Sequence, residues 1–151
     1  MPGTTRKLVY AIEAVLDIAY NSGGAPVQSG QISERQGIPA RYLEPVLQQL
    51  VREGVLKGVR GPRGGYKLAR ERRRITLGDI TRVVRSLETS EDALAEETGS
   101  TLGNAVIRPL LRGLHDDWMA RLDTITIDEL CAEAHKTGQP SDAMRRLDFS
   151  I

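Results

Sequence analysis

The stretch ARYLEPVLQQLVREGVLKGVRGPRGGYKLAR, residues 40–70, decides the fold. Its first half places apolar side chains on one face at helical spacing, and Gly54 predicts the end of this helix. Two β-rich runs follow, residues 55–60 and 65–69, and Gly61-Pro62-Arg63-Gly64 joins them in a loop whose glycines allow positive φ. A helix followed directly by a hairpin with an arginine at its tip is typical of a winged-helix domain.

Upstream of this stretch, the sequence predicts two further helices. Residues 5–20 carry apolar side chains at helical spacing, and Gly23-Gly24-Ala25-Pro26 ends that helix. We expect Ser29 to cap a short second helix, and Gly37-Ile38-Pro39 is a break that suits the turn of a helix-turn-helix. The helix over residues 40–53 is then the second helix of that motif.

Downstream of the hairpin, we expect Ile75 to close the small sheet. Thr76-Leu77-Gly78-Asp79 resembles a capping box that opens a helix to about residue 87. A long helix is predicted over residues 101–123, and Thr126-Ile127-Asp128-Glu129 begins a short helix that ends near Lys136.

The predicted fold class is mainly α with a small β-wing, a winged helix-turn-helix followed by a long dimerisation helix. Residues 1–87 form the DNA-binding domain, and the acidic, weakly hydrophobic residues 88–100 form a linker or loop. Residues 101–137 hold the dimerisation helix and the short C-terminal helix. Residues 138–151 are expected to be a flexible tail.

The long helix carries a continuous apolar seam that ends near Ile125. A single helix tethered by a loop cannot bury such a seam alone. It must pack on its own winged helix, on a second subunit, or on both, and a twofold dimer is usual for a protein that reads a palindromic site. The seam residues assigned to dimerisation are Ile107, Leu111, Leu114, Trp118 and Leu122.

Charge is distributed unevenly along the chain. Residues 35–74 hold eleven Lys and Arg against three Glu, a net charge of +8, although all 151 residues together carry only +1. The remainder is therefore acidic, with a net charge of −7. A positive face of this kind suits a polyanion, and double-stranded DNA is the expected partner.

Several classes of protein do not fit the sequence. Its apolar runs are short and interrupted by charge, and the first run contains Glu13 and Asp17 without a small-residue cleavage site, so we expect a cytoplasmic protein with no membrane partner. Cys131 is the only cysteine, which excludes an internal disulfide. The chain has no nucleophile–base pairing and no phosphate loop followed by Lys-Ser/Thr, so an enzyme is not expected.

The motif over residues 31–70, with ITLGDI at residues 75–80, resembles the Rrf family of bacterial winged-helix transcriptional regulators. The pair YLE (residues 42–44) and VRGPRGGY (residues 59–66) carries the resemblance, because a recognition helix followed at this distance by such a wing rarely arises by chance. The resemblance is close over residues 5–87 and extends in architecture over residues 101–131. It implies a homodimeric transcription factor whose long helices cross at the dimer interface.

Arg41, Tyr42 and Glu44 lie at the start of the second helix, the part that enters the major groove. There an arginine can read guanine and a glutamate can accept from a cytosine amino group. The alternative for Glu44 is a solvated charge favoured by the helix dipole, and Tyr42 is expected to touch a phosphate or pack on the core edge. Pro45 removes one amide donor from this helix and departs from the glutamine more typical after YLE, which leaves its register in the groove open.

Arg60 and Arg63 are expected to lie along the minor groove, the alternative being a solubilising turn. Gly61 and Gly64 would allow that approach, and the basic run that contains Arg73 would add phosphate contacts. The complete set of predicted DNA-binding residues is Arg41, Tyr42, Glu44, Gln48, Arg60, Gly61, Arg63, Gly64, Tyr66 and Arg73.

The sensor region departs from the family pattern. Iron-sulfur members carry three cysteines before the long helix, whereas residues 88–104 contain none, so no cluster and no other cofactor is predicted. His115 and His135 alone do not indicate a metal site. Cys131 is expected to be a buried, inert thiol, and a redox switch there would need an exposed thiolate of low pKa, which His135 alone could promote.

Two functions remain open at this stage. The first is a sequence-specific DNA-binding regulator, a repressor with an activator as the alternative, that acts as a homodimer on a palindromic operator. The second is an adaptor that uses the same winged helix for protein contacts. The net charge of +8 over residues 35–74 favours DNA. An effector or partner protein is expected at the loop over residues 88–100.

Overall fold

The computed structural model describes residues 5–88 and 99–141, and in these ranges the chain is mainly helical with one small sheet. The predicted fold class is therefore confirmed. A 3₁₀ turn spans Arg72–Arg74, and a π-helical turn spans Gly103–Ile107. The helices and strands are α1 (Arg6–Asn21), α2 (Ser29–Gln36), α3 (Ala40–Arg52), β1 (Leu56–Val59), β2 (Gly65–Leu68), α4 (Leu77–Leu87), α5 (Arg108–Leu122) and α6 (Ile127–Lys136).

The core of the winged helix forms where α1, α3 and α4 turn their apolar faces toward one another. The helical spacing of these residues determines which of them face inward, and each is at most 4% exposed. The main contributors are Leu8, Ala11, Val15 and Ile18 of α1, Leu43, Val46, Leu47 and Leu50 of α3, and Ile80, Val83 and Val84 of α4.

A buried carboxylate fastens α1 to α2. The Asp17 side chain is fully buried and accepts hydrogen bonds from Arg35 Nε (2.9 Å), Arg35 Nη2 (2.7 Å) and Gln36 Nε2 (2.8 Å). A buried charge is tolerated when it is paired and hydrogen-bonded in this way. The expected cap of α2 is wrong, because Ser29 is the first helical residue and Gln28 is the N-cap, with its backbone N–H donating to Gln31 Oε1 at 2.9 Å.

The small sheet consists of β1 and β2 in antiparallel register, with Leu56 opposite Leu68. Val27, from the segment before α2, pairs with Tyr66 through two backbone hydrogen bonds of 2.9 and 2.8 Å. The expectation that Ile75 closes the sheet is therefore wrong. Ile75 instead accepts from the backbone N–H of Ile127 (2.9 Å), because the chain that leaves the wing pairs with the connection between α5 and α6.

The C-terminal part of the chain follows the predicted order. The helix expected over residues 101–123 is present as the π-helical turn followed by α5, and Thr126 caps α6 by accepting from the backbone N–H of Glu129 at 3.2 Å. No helix within residues 5–88 and 99–141 is long and apolar enough to cross a bilayer.

The predicted flexible tail is corrected at its beginning. Tyr20 Oη donates to the Gln139 carbonyl (2.6 Å), and the hydroxyl of the buried Ser141 donates to the Tyr20 carbonyl (2.8 Å). Residues 139–141 therefore lie against the end of α1. The rest of the predicted tail, residues 142–151, and residues 89–98 of the predicted acidic loop lie outside the described residues.

Candidate nucleic-acid interface

One face of α3 is exposed along the first two turns. Arg41, Tyr42, Glu44 and Gln48 all lie on it, while the large aliphatic residues of the helix, apart from the half-buried Val51, are buried beneath. The helix continues through Pro45, which is itself exposed, so the missing N–H does not interrupt it. The structure therefore brings the four predicted residues of α3 together on one accessible surface.

Tyr42 is held from two sides. The guanidinium carbon of Arg41 lies 4.8 Å from the centre of the Tyr42 ring, within the range of a cation–π contact. On another side, the Tyr10 ring of α1 lies 6.2 Å away, centre to centre. The contact of Tyr10 with Tyr42 is not predictable from the sequence, because helical spacing along α1 does not tell which residue of another helix Tyr10 meets.

Two cations lie beside this aromatic pair. Arg6 and Lys7 are exposed in the first turn of α1 and line a small surface pocket of about 180 Å³ together with Tyr10 and Tyr42. A run of cationic and aromatic side chains thus extends from the start of α3 to the start of α1.

The wing presents Arg60 and Arg63 to solvent. Neither has a carboxylate within ion-pair distance in residues 5–88 and 99–141. The loop between the strands is closed by a hydrogen bond from Gly64 N–H to the Gly61 carbonyl (2.9 Å), and Gly61 has a φ of 108°, which favours glycine. Gly64 itself is buried.

Close backbone packing at Gly65 fixes the base of the wing. Its φ is 152°, and a Cβ added there would lie only 2.5 Å from the Val27 carbonyl oxygen. Tyr66, the next residue, is half-buried against the core, so its position supports the wing from below. The wing is therefore fastened to the segment before α2 as well as to its own turn.

The basic run after the wing is largely paired within the protein. Arg72 Nε lies 2.7 Å from Asp128 Oδ1, and Arg73 Nε lies 2.6 Å from Glu71 Oε2. A weaker contact of 3.6 Å joins Arg70 Nη1 to Asp79 Oδ2. These cations are thus partly neutralised, in contrast to the two arginines of the wing.

The predicted seam of the long helix divides into two parts. Leu122 is 8% exposed and Trp118 is half-buried against the core, so both pack within their own chain. The assignment of Leu122 to dimerisation is therefore wrong, because the C-terminal end of α5 turns toward α4. The exposed part, which we call the α5 apolar face, consists of Leu102, Val106, Ile107, Leu110, Leu111 and Leu114.

Cys131 is buried in α6. Burial raises the pKa of its thiol, and the neighbouring Arg72 guanidinium only partly opposes that shift. A thiol of raised pKa is little ionised at neutral pH, which supports the interpretation of an inert side chain. Residues 5–88 and 99–141 contain no group of three or more His, Cys, Asp or Glu side chains arranged to hold a metal.

The sequence matches the model of the Rrf2 family, described as iron-dependent transcriptional regulators, over residues 4–133. It is 38% identical over 129 residues to the HTH-type transcriptional regulator IscR of Escherichia coli O1:K1 / APEC, covering 83% of this chain and 78% of that protein. The fold is similar to T. potens IscR, with a TM-score of 0.68, 32% identity and coverage of 94% and 95% of the two chains. It is also similar to CymR, the global cysteine regulator of B. subtilis, with a TM-score of 0.63, 26% identity and coverage of 88% and 98%.

The donor atoms of this chain do not fit an iron-sulfur cluster. Such clusters are held mainly by cysteine thiolates, and the one cysteine of the whole sequence is the buried Cys131. His115 is not positioned as a substitute ligand, since its Nε2 lies 2.5 Å from Arg85 Nη1. The chain thus shares the fold of the Rrf2 family without a set of cysteine ligands for a cluster.

Proposed function

The chain belongs to the Rrf2 family of transcriptional regulators, and on that premise we propose that it represses transcription as a homodimer bound to a palindromic DNA operator. In each subunit, α3 would enter the major groove and the wing would follow the adjacent minor groove. The observation that carries this proposal is an exposed polar face on α3 beside two exposed arginines on the wing, which form no ion pair within residues 5–88 and 99–141.

The charge pattern of the wing supports a polyanionic partner. Lys57 and Lys67 lie directly opposite each other on β1 and β2. Two like charges in that arrangement destabilise a hairpin, and a nearby phosphate would relieve their repulsion. Arg60 and Arg63 extend the same positive surface toward the tip.

The α3 residues supply chemistry for reading bases. The guanidinium of Arg41 can donate two hydrogen bonds to guanine, the Glu44 carboxylate can accept from the amino group of cytosine, and the Gln48 amide can pair with adenine. Phosphate contacts from the wing and the basic run would set the position of α3 without carrying sequence information.

The α5 apolar face supports the dimer. Its six large apolar residues are 41–68% exposed in the single chain, which is unusual for a surface that stays in water. A second copy of the same face would cover it by twofold symmetry, as in the crossed long helices that the family resemblance implies. The same symmetry axis would present two copies of α3 to two half-sites.

Selection of duplexes from a random DNA pool by the purified protein tests the proposal. The expected result is enrichment of inverted repeats whose half-sites lie about one helical turn, or a multiple of it, apart. If the purified protein is folded and enriches no duplex, DNA recognition is contradicted. The alternative, an adaptor that uses the winged helix for protein contacts, would then be favoured. Enrichment of a single, non-repeated site would contradict the twofold arrangement.

A separate experiment tests the proposal that no iron-sulfur cluster serves as the sensor. Protein reconstituted anaerobically with iron and sulfide should remain colourless and should bind the selected duplex without metal, because three thiolates are absent from residues 88–104. A visible charge-transfer band with stoichiometric iron, lost on Cys131→Ser, would contradict it. If the protein remains colourless, the signal is to be sought at residues 88–100, where we expect an effector or partner protein.

A further inference from the structure

We propose that Arg6 and Lys7 of α1 bind a DNA phosphate at the edge of the groove that α3 enters, and that Tyr10 positions Tyr42 beside that contact. This inference rests on the proposed DNA-binding function and extends it to a helix outside the helix-turn-helix and the wing. It adds to each subunit a phosphate contact beyond those of the wing and the basic run, on the side of α3 that faces α1.

The geometry of α1 places these three side chains together. Arg6 and Tyr10 are four residues apart and Lys7 and Tyr10 are three apart, so all three share one face of the helix. That face meets the start of α3, since Tyr10 and Tyr42 lie 6.2 Å apart and the two cations border the same small pocket.

The width of the major groove indicates which part of the DNA Arg6 and Lys7 would reach. The major groove of B-DNA is about 12 Å wide, so a helix centred in it has phosphates within about 6 Å on either side. Tyr42 belongs to the first turn of α3 and is 45% exposed, which places it at the entry of the groove in the proposed complex. Cations that adjoin Tyr42 on the α1 side then lie at the phosphate rim.

Neither cation is neutralised by a carboxylate among the described residues. In the part of the chain that the structure describes, Arg6 and Lys7 have no carboxylate within ion-pair distance. The backbone N–H groups at the start of α1 are not the proposed phosphate site, because Thr5 Oγ1 already caps the helix and donates to Glu88 Oε1 at 3.3 Å. The phosphate contact is therefore assigned to the two side chains, and Glu88 is a nearby negative charge that opposes it.

The substitutions Arg6→Gln and Lys7→Gln, singly and together, test the contact. Each should weaken binding about threefold to fivefold at low salt, and the plot of log affinity against log salt should become shallower by about 0.9 per lost phosphate contact. The factor should be the same on the selected operator and on a synthetic mixed-sequence duplex, because a phosphate contact carries no sequence information.

Lys136→Gln is the matched control. It removes one exposed positive charge from α6, whose following residues contact Tyr20 at the opposite end of α1, about 20 Å from Arg6 at 1.5 Å per helical residue. The control should leave the salt dependence unchanged. If the double variant behaves like Lys136→Gln while wild-type protein binds the operator normally, the contact is refuted and the proposed function stands; if wild-type protein binds no DNA, the proposed function itself fails.

Two further variants sharpen the test. Glu88→Gln should tighten binding to both duplexes, since it removes a negative charge that contacts Thr5 at the start of α1; unchanged or weaker binding would place the phosphate elsewhere. Tyr10→Leu should lower the ratio of operator affinity to mixed-sequence affinity, and Tyr10→Phe should restore it, because the ring contact with Tyr42 is kept. An unaltered ratio in Tyr10→Leu would overturn the positioning role of Tyr10.

Discussion

The helices α3 and α5 both carry a stripe of apolar residues, but the two stripes have opposite surroundings. The apolar side chains Leu43, Val46, Leu47 and Leu50 of α3 are at most 1% exposed, because α1, α4 and β1 cover them. Those of the α5 apolar face are 41–68% exposed. The winged helix therefore buries its apolar residues within one chain, whereas the α5 apolar face would be buried only in the proposed dimer.

The largest expected effect comes from removing a core residue of α3. Leu47→Ala leaves a cavity beneath the recognition helix and should lower the free energy of unfolding by about 2–5 kcal/mol. Urea unfolding followed by circular dichroism measures the change. The matched control is Leu110→Ala on the α5 apolar face, which should change the stability of the monomer little; an equal loss in both variants would remove the contrast between the helices.

The second prediction concerns the α5 apolar face and the proposed dimer. The pair Leu111→Glu and Leu114→Glu introduces four negative charges into the proposed dimer interface and should yield folded monomers. Sedimentation velocity measures the mass, and circular dichroism checks the fold. These positions suit the test better than Trp118, which packs partly on its own core. A dimer of unchanged stability would place the interface elsewhere.

The third prediction tests whether DNA binding by the wing is independent of dimerisation. Changing Arg60 and Arg63 together to Ala should weaken operator binding by about 2–4 kcal/mol and flatten its salt dependence, since each arginine contributes about 1–2 kcal/mol at the minor groove. The dimer should persist in sedimentation. Affinity equal to wild type would show that the wing makes no DNA contact. Loss of the dimer would show that the wing also affects dimerisation through the α5 apolar face.

The smallest effect concerns the ion pair that joins the two regions. Hydrogen bonds from Arg82 of α4, at 2.8 and 2.6 Å, hold the pKa of Asp123 below its usual value. A carboxyl with a lowered folded pKa stabilises the fold above its unfolded pKa, and this contribution disappears as pH falls through the lower, folded value. Asp123→Asn should therefore remove a small component of stability that the wild-type protein loses as pH falls below the ordinary Asp pKa of about 4, as measured by thermal unfolding on both sides of that pH. A pH profile identical to that of wild type would show that the exposed pair contributes nothing.

The sequence predicted those parts of the structure that depend on local pattern. The spacing of Leu43, Val46, Leu47 and Leu50 identified the buried face of α3, and the glycines of the wing identified its turn, because both signals lie within a few residues of one another. The capping box from Thr76 to Asp79 was predicted for the same reason and is confirmed.

The errors fall where distant segments meet. Ile75 was assigned to the sheet because it follows the wing directly, yet its partner is Ile127, some fifty residues away. Leu122 fits the periodicity of the exposed seam but meets the winged-helix core, and Tyr10 contacts Tyr42 across two helices. Periodicity states which residues share a face and does not state what covers that face. The DNA-contacting roles of the candidate residues remain predictions.

The backbone pairing of residues 75–77 with residues 125–127 has a mechanical consequence. Hydrogen bonds from Leu77 to Ile125 and from Ile127 to Ile75, both 2.9 Å, fasten the exit of the wing to the turn at the end of α5, and the ion pair of Arg72 with Asp128 reinforces the joint. Because of these contacts, a rotation of α5 would move the wing with it. In the proposed dimer, the crossing angle of the two α5 helices would therefore set the distance between the two wings.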